Sequence, residues 1–391
     1  MNKAFLTRTE CNALRGVAIA GIVLHNFCHW LPGIVRENEY LFHAGNASGL
    51  SGLLASPDWN LPLHLLSFFG HYGVPMFLFL SAYGLVMKYE KEDSSPRPSL
   101  RGRGVNSPNH LKIKKWYHLL PSLLGRGGGE SLLLHAQFLG RHFKKLFRMM
   151  IIGFALFVMV DAITPGRHRY ELLDVVAQLG LFNNLLEFPD GVAGHRHSVI
   201  WPGPYWFFGL MMQLYMVYRL LLYRRHWGWT LGLMVVCTLV QMFCGPESTE
   251  LYRLRYNFVG GMLPFGYGLL CARMPMQMPR GYNWLFGLVS LWFVYSLSMG
   301  YTGWFFVPLF VCSAGFCLVK VTPEWLLRPL TWLGGISAAL FVLHPITRKV
   351  FIPISRHDGL YTGLALYVVS SIVLAWLLND VIKGQKRSER A

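Results

Sequence analysis

The sequence predicts an all-α integral membrane protein with about ten transmembrane helices and both termini cytoplasmic. Three observations carry that prediction. Of 391 residues, 53% are hydrophobic and only 14% are charged, and mean hydropathy is +0.36, far from the composition of a soluble domain. Aromatic residues make up 15%, with 13 Trp and 18 Tyr, rings that favour the water interface of a bilayer. Apolar runs long enough to span recur along the whole chain.

A hydrocarbon core about 30 Å thick needs roughly 20 mainly apolar residues per helix. Ten runs qualify: 12–32, 62–88, 147–163, 204–223, 227–244, 256–272, 282–299, 302–320, 330–352 and 360–382. The first is long enough to remain in the membrane and has no small-residue cleavage site after it, so a cleavable signal peptide is not expected. An eleventh stretch, 171–188, carries Asp174, Gln178, Asn183, Asn184 and Glu187; it reads as an amphipathic helix at the interface rather than a span. With the N-terminus inside, the inner segments hold 25 Lys and Arg against 7 in the outer ones, the asymmetry expected of cytoplasmic loops.

The net charge of +17 lies between apolar runs rather than on a soluble face, so nucleic acid is not an expected partner; membrane lipid is. Seven cysteines, with no paired metal-ligand spacing, read as small core residues, and no metal site is expected. Residues 89–140 form a basic cytoplasmic loop, disordered in part, within a single membrane domain spanning 1–391. At its end, RHFKKLFRMM places Arg141, Lys144, Lys145 and Arg148 where loop becomes helix. A second stretch, 188–204, contains His195, Arg196 and His197, which read as an ordinary outer loop that could rim a substrate mouth.

Ionisable groups inside an apolar span cost about 2.5 kcal/mol or more at the helix centre, which makes each a functional candidate. Arg15, His25 and His29 lie on the first run. Ten residues separate Arg15 from His25, about 15 Å of helical rise, so Arg15 belongs near the cytoplasmic face and His25 beyond mid-depth. Arg15 could instead snorkel to the headgroups, and His29, beside Trp30, reads as an interface residue. His71 and His344 fall in the same outer layer as His25. For His71 a structural role is as plausible as a functional one.

Five segments in order resemble the acyltransferase 3 family of membrane proteins: LRGVAIAGIVLHNFCHW, FGHYGVPMFLFLSAYGLVMK, RHFKKLFRMM, PYWFFGLMMQLYMVYRLL and GGISAALFVLHP. They are similar, in turn, to the family's Arg-Gly first helix with its histidine, its glycine-rich second helix, its Lys/Arg-x-x-Arg approach to the third, its Trp helix with Gln-x-Tyr, and its late Ser, aromatic and His segment. The chain departs from the family in three of these, the acidic version of the Trp helix being absent here. The family's histidine commonly follows the arginine by eleven positions, which here is Asn26, so His25 is turned about 100° around the helix. Ala82 stands where glycine is usual. No appended hydrolase-like domain follows, so the chain looks like a stand-alone member.

The resemblance implies an acyl-CoA-dependent O-acetyltransferase of the bacterial inner membrane, moving acetyl from cytoplasmic acetyl-CoA to a hydroxyl of a cell-surface polysaccharide or lipid-linked sugar, with no permanently bound cofactor. On that reading Arg15, Lys145, Arg148 and Arg141 hold the CoA phosphates, supported by Lys144. His25 is the base. Asn26, Ser81, Tyr83, Trp206, Gln213 and His344 face the acceptor or the oxyanion. Direct transfer and an acyl-histidine relay both remain open. A transporter or exporter of a glycan, with a midplane site among Gly- and Pro-interrupted helices, is the alternative.

Overall fold

The computed structural model describes residues 4–37, 40–91, 126–189, 198–274, 278–357 and 359–388. Residues 92–125, the middle of the basic loop, and His195, Arg196 and His197 lie outside the described residues. All regular structure among those described is helical.

Helix α1, Arg8–Cys28, starts at a capping box in which Thr7 Oγ1 accepts from the Glu10 amide and Glu10 accepts from the Thr7 amide. After the short α2, Ala44–Ala55, the chain re-enters as α3, Leu61–Phe69, makes one 3-10 turn, Gly70–Tyr72, and continues as α4, Gly73–Val86. Helix α5, Arg126–Ile163, has 38 residues, about 57 Å, far longer than the bilayer core. Its first turns therefore stand outside the membrane, and the stretch from Arg126 to Gly140, read from sequence as the end of the basic loop, is helix.

The expected interfacial helix over 171–188 is two short ones, α6, Leu172–Leu179, and α7, Asn183–Leu186. They are separated by Gly180 and by Leu181 in the left-handed region, with φ 59°. Asp174, Gln178, Asn183 and Asn184 are buried, while Leu172, Leu173 and Val176 are exposed. The amphipathicity is real but inverted: the polar face is turned into the protein and the apolar face outward, as suits a lipid-facing surface.

The remaining helices are α8, Trp206–Val217, α9, Trp227–Met242, α10, Thr249–Tyr256, α11, Phe258–Arg273, α12, Arg280–Ser298, α13, Tyr301–Trp304, α14, Val307–Val321, α15, Glu324–Gly335, α16, Ser337–His357, and α17, Leu360–Ser388. Each of the ten apolar runs lies on helix. Among the described residues, five stretches are long and apolar enough to cross a membrane: Arg8–Cys28, Leu61–Lys91, Leu132–Ile163, Ser337–His357 and Leu360–Gly384. Several of the ten runs change helix type or break along their length. The run from 204 changes to a π-helical turn at Tyr218, that from 302 breaks between α13 and α14, and that from 330 is divided at Ile336 between α15 and α16. Helices α12 and α17 expose apolar faces, including Trp284, Leu288, Trp292, Val373 and Trp376, as a lipid-facing wall does.

Close backbone crossings set the arrangement around α1. A Cβ on Gly73 would lie 2.2 Å from Ala18 O, one on Gly70 would lie 2.6 Å from Gly21 O, and one on Gly16 would lie 2.0 Å from Leu330 O. Small residues permit these approaches, the usual basis of helix association in lipid. Elsewhere partly buried ion pairs pin the bundle. Glu90, just after α4, accepts from Arg273 Nε at 3.0 Å and Nη2 at 2.8 Å and from the Tyr218 hydroxyl at 3.1 Å. Lys349 on α16 pairs with the buried Asp161 of α5.

Gly73→Ala should lower stability by about 1–3 kcal/mol through overpacking, read as a fall in thermal unfolding temperature in detergent. Gly232→Ala, which meets nothing within 4 Å, should leave it unchanged. Arg273→Ala strands the Glu90 carboxylate and should cost about 3 kcal/mol; an unfolding temperature equal to that of the unmodified protein would contradict the pinning role.

Candidate active site

The crossing of α1 over α3 seats His25 with Nδ1 2.8 Å from Ser67 O. A carbonyl only accepts, so Nδ1 carries the hydrogen and Nε2 keeps the lone pair. His29, one helical turn along, and His71, on the 3-10 turn, bring their rings to 5.1 and 5.3 Å from that of His25. Among the described residues, neither ring nitrogen of the buried His71 meets a hydrogen-bond partner.

These three histidines line a cavity of about 190 Å³ together with Asn26, Trp206 and Arg348. Arg348 Nη1 donates to Asn26 O at 3.3 Å and to Asn26 Oδ1 at 3.2 Å; its guanidinium lies 5.3 Å from the centroid of the Trp30 ring. Asn26 Nδ2 donates to Ile22 O at 3.0 Å. The Asn26 side chain is thus engaged in holding Arg348. An aromatic wall completes this histidine chamber, with Trp206 at 5.4 Å from Tyr40 and 5.7 Å from Tyr256.

The segment before α8 forms part of the rim through Trp201, Gly203 and Pro204. Glu187 fixes it, accepting from the amides of Val199 and Ile200 at 3.0 and 3.2 Å and from the hydroxyls of Ser198 and Tyr252 at 2.8 and 3.2 Å. Burial raises the Glu187 carboxyl above the usual carboxylate range, and these four donors pull it back.

A second cavity, of about 540 Å³, is lined by Arg15, Ser81, Lys88, Arg141, His142 and Lys145, with Tyr89 and Tyr215. Its four cations meet no acidic side chain in the lining. Arg15 is steadied by Asn12 Oδ1 at 2.7 Å. Phe207 and Phe341 line both cavities, their rings 5.2 Å apart, and so form the wall between the histidine chamber and this basic one.

The structure therefore gathers His25, Asn26 and Trp206 in one chamber and Arg15, Arg141, Lys145 and Ser81 in the other. It does not bring the rest of the expected set to either. Arg148 and Lys144 are not among the residues lining the basic chamber. The Tyr83 hydroxyl donates to Leu6 O at 3.1 Å and accepts from the Leu6 amide at 2.9 Å, tying down the N-terminal segment. Gln213 donates to Asn257 Oδ1 at 2.8 Å and accepts from the Phe258 amide at 2.9 Å, capping α11. His344 is buried on α16 with Nδ1 3.2 Å from Leu340 O, outside the lining. Sequence reasoning passed over Arg348, Lys88 and Phe207, and took Phe341 only as the aromatic of the family-like late segment, without a role in the site. The rule that selected Arg15, an ionisable group inside an apolar run, also applies to Arg348 and is the signal that could have found it.

A family model for an acyltransferase domain matches residues 134–380. Comparison with curated proteins and with solved structures found no match. The matched span takes in Arg141, Lys145, Phe207, Phe341 and Arg348, and α1 lies before it. With more than half of its length matched, the chain belongs to the acyltransferase 3 family.

Proposed function

We propose that this membrane acyltransferase takes acetyl from acetyl-CoA and places it on a hydroxyl of a cell-surface polysaccharide or lipid-linked sugar in a bacterial inner membrane. The observation that carries the reading is the meeting of two unlike chambers at one aromatic wall. On one side, four cations in a lining that holds no acidic side chain suit the phosphates of CoA. On the other, an imidazole with a fixed tautomer stands among aromatic rings, which stack on the apolar faces of sugars.

Arg141, Lys145, Lys88 and Arg15 hold the phosphates, and the thioester reaches the wall at Phe207 and Phe341. His25 Nε2 takes the proton of the acceptor hydroxyl as its oxygen attacks the thioester carbonyl carbon. The Ser67 carbonyl, hydrogen-bonded to Nδ1, orients the ring and favours the imidazolium that forms. Collapse of the tetrahedral intermediate forms the ester and breaks the C–S bond; the thiolate leaves and takes up the proton. The excess of Lys and Arg in alternate loops supports a cytoplasmic basic chamber and an outward histidine chamber.

Thiol release from acetyl-CoA by the purified protein tests this. His25→Ala should lower turnover by about 10²-fold or more while CoA binding stays within twofold. Lys145→Ala should weaken CoA binding by about tenfold, and Arg148→Ala should do so less, because Arg148 stands off the chamber. Phe341→Ala should raise the share of acetyl lost to water. A protein that neither binds nor consumes acetyl-CoA would contradict the proposal.

A further inference from the structure

Arg348 is the charged group of the histidine chamber that the proposed transfer leaves without a role. It sits inside α16, one of the helices able to cross a membrane. Its neighbour Lys349 is matched by Asp161. Arg348 has no such match: among the described residues it bonds only Asn26 O and Oδ1, both uncharged, and lies near the Trp30 ring. Among the described residues its other N–H groups bond no protein atom, and its side chain is part of the chamber lining.

The surroundings deepen the imbalance. None of the residues lining the chamber is acidic. Arg356, one helical turn pair further along α16, donates to Trp30 O at 3.1 Å from Nη2 and adds a second cation at the same edge. Arg36 lies close enough to His29 to act on its charge, and the adjacent Glu37, though buried, is not part of the lining. An arginine held in an apolar layer without a counter-ion is costly, and neither a neutral sugar nor a thioester offers it a full charge in the ground state. The fork of a guanidinium, by contrast, matches a carboxylate or a phosphate in two hydrogen bonds.

We propose that the acceptor is an anionic sugar, and that Arg348 binds its carboxylate or phosphate within the histidine chamber while His25 faces the reacting hydroxyl. This rests on the acyl-transfer reading for the role of His25, but anion binding can be measured apart from turnover. The anion is either the sugar's own acid group, as in a uronide, or the phosphate that joins the sugar to its carrier. Arg348 is then a specificity-determining residue, and the chamber selects acidic over neutral sugars before chemistry begins.

Calorimetric titration of the purified full-length protein in nanodiscs tests this with methyl β-glucuronide, glucose 1-phosphate and neutral methyl β-glucoside, alongside acetyl-CoA. At least one anion should bind about tenfold or more tighter than the glucoside, as a charge-assisted pair implies; whichever anion binds tighter identifies the source. Arg348→Gln should reduce the preference to under about threefold with acetyl-CoA affinity unchanged, and Arg348→Lys, which keeps charge but not the fork, should retain part of it. The inference fails if the glucoside binds as tightly as both anions, if neither anion binds, or if the preference survives in Arg348→Gln. It also fails if Arg348→Gln lowers turnover equally on every acceptor without altering preference, the mark of an oxyanion role. Should Arg348→Gln not fold, the wild type against Arg348→Lys still decides. Loss of acetyl-CoA binding by the wild type would instead strike the acyl-transfer reading.

Discussion

The close approach of α1 to the chain running from α3 into α4 is the constraint on which the rest of the site depends. Gly70 and Gly73 let the backbones meet at distances no side chain would allow. Only at that separation does the His25 ring reach the Ser67 carbonyl, and only with that hydrogen bond is one imidazole nitrogen committed as donor and the other left basic. The 3-10 turn between α3 and α4 has a consequence too. It carries His71 to the His25 ring, so a single irregular turn in an otherwise helical span assembles two of the three histidines.

Around that crossing, polar contacts buried in the bundle fix the walls of both chambers. Glu90 and Arg273 tie the end of α4 to α11 and, through Tyr218, to the π-helical turn after α8. Lys349 and Asp161 tie α16 to α5, the two helices that carry Arg348 and the basic patch. Asn184 donates to the carbonyls of Trp206 and Tyr256 at 2.9 and 2.5 Å, which sets the aromatic wall. In a low-dielectric layer such pairs are expensive to leave unmade, so they hold the chambers in one geometry.

Much of this was legible in the sequence, for physical reasons. Hydrophobic length marks where helices lie, and each apolar run is on helix; the cost of charge in lipid singled out Arg15 and His25, which line the two chambers. The five family-like segments gave the family. What could not be read was whether a polar side chain points to a cavity or to its own backbone. Tyr83 and Gln213 have the residue types of a binding site, yet they serve Leu6 and the start of α11. Spacing also hides breaks: Ile336 divides one apolar run into two helices, and Gly180 with Leu181 divides the amphipathic stretch 171–188. Arg348 stands out because no acidic side chain lines its chamber, a fact of spatial neighbours that no local pattern encodes.

The most direct measurement is a cryo-electron microscopy structure of the protein in nanodiscs with acetyl-CoA bound. The expected map has the CoA phosphates against Arg141 and Lys145 and the thioester at Phe207 and Phe341, on the path to His25. Density for CoA outside the basic chamber, or a thioester directed away from the shared wall, would contradict a transfer between the two chambers.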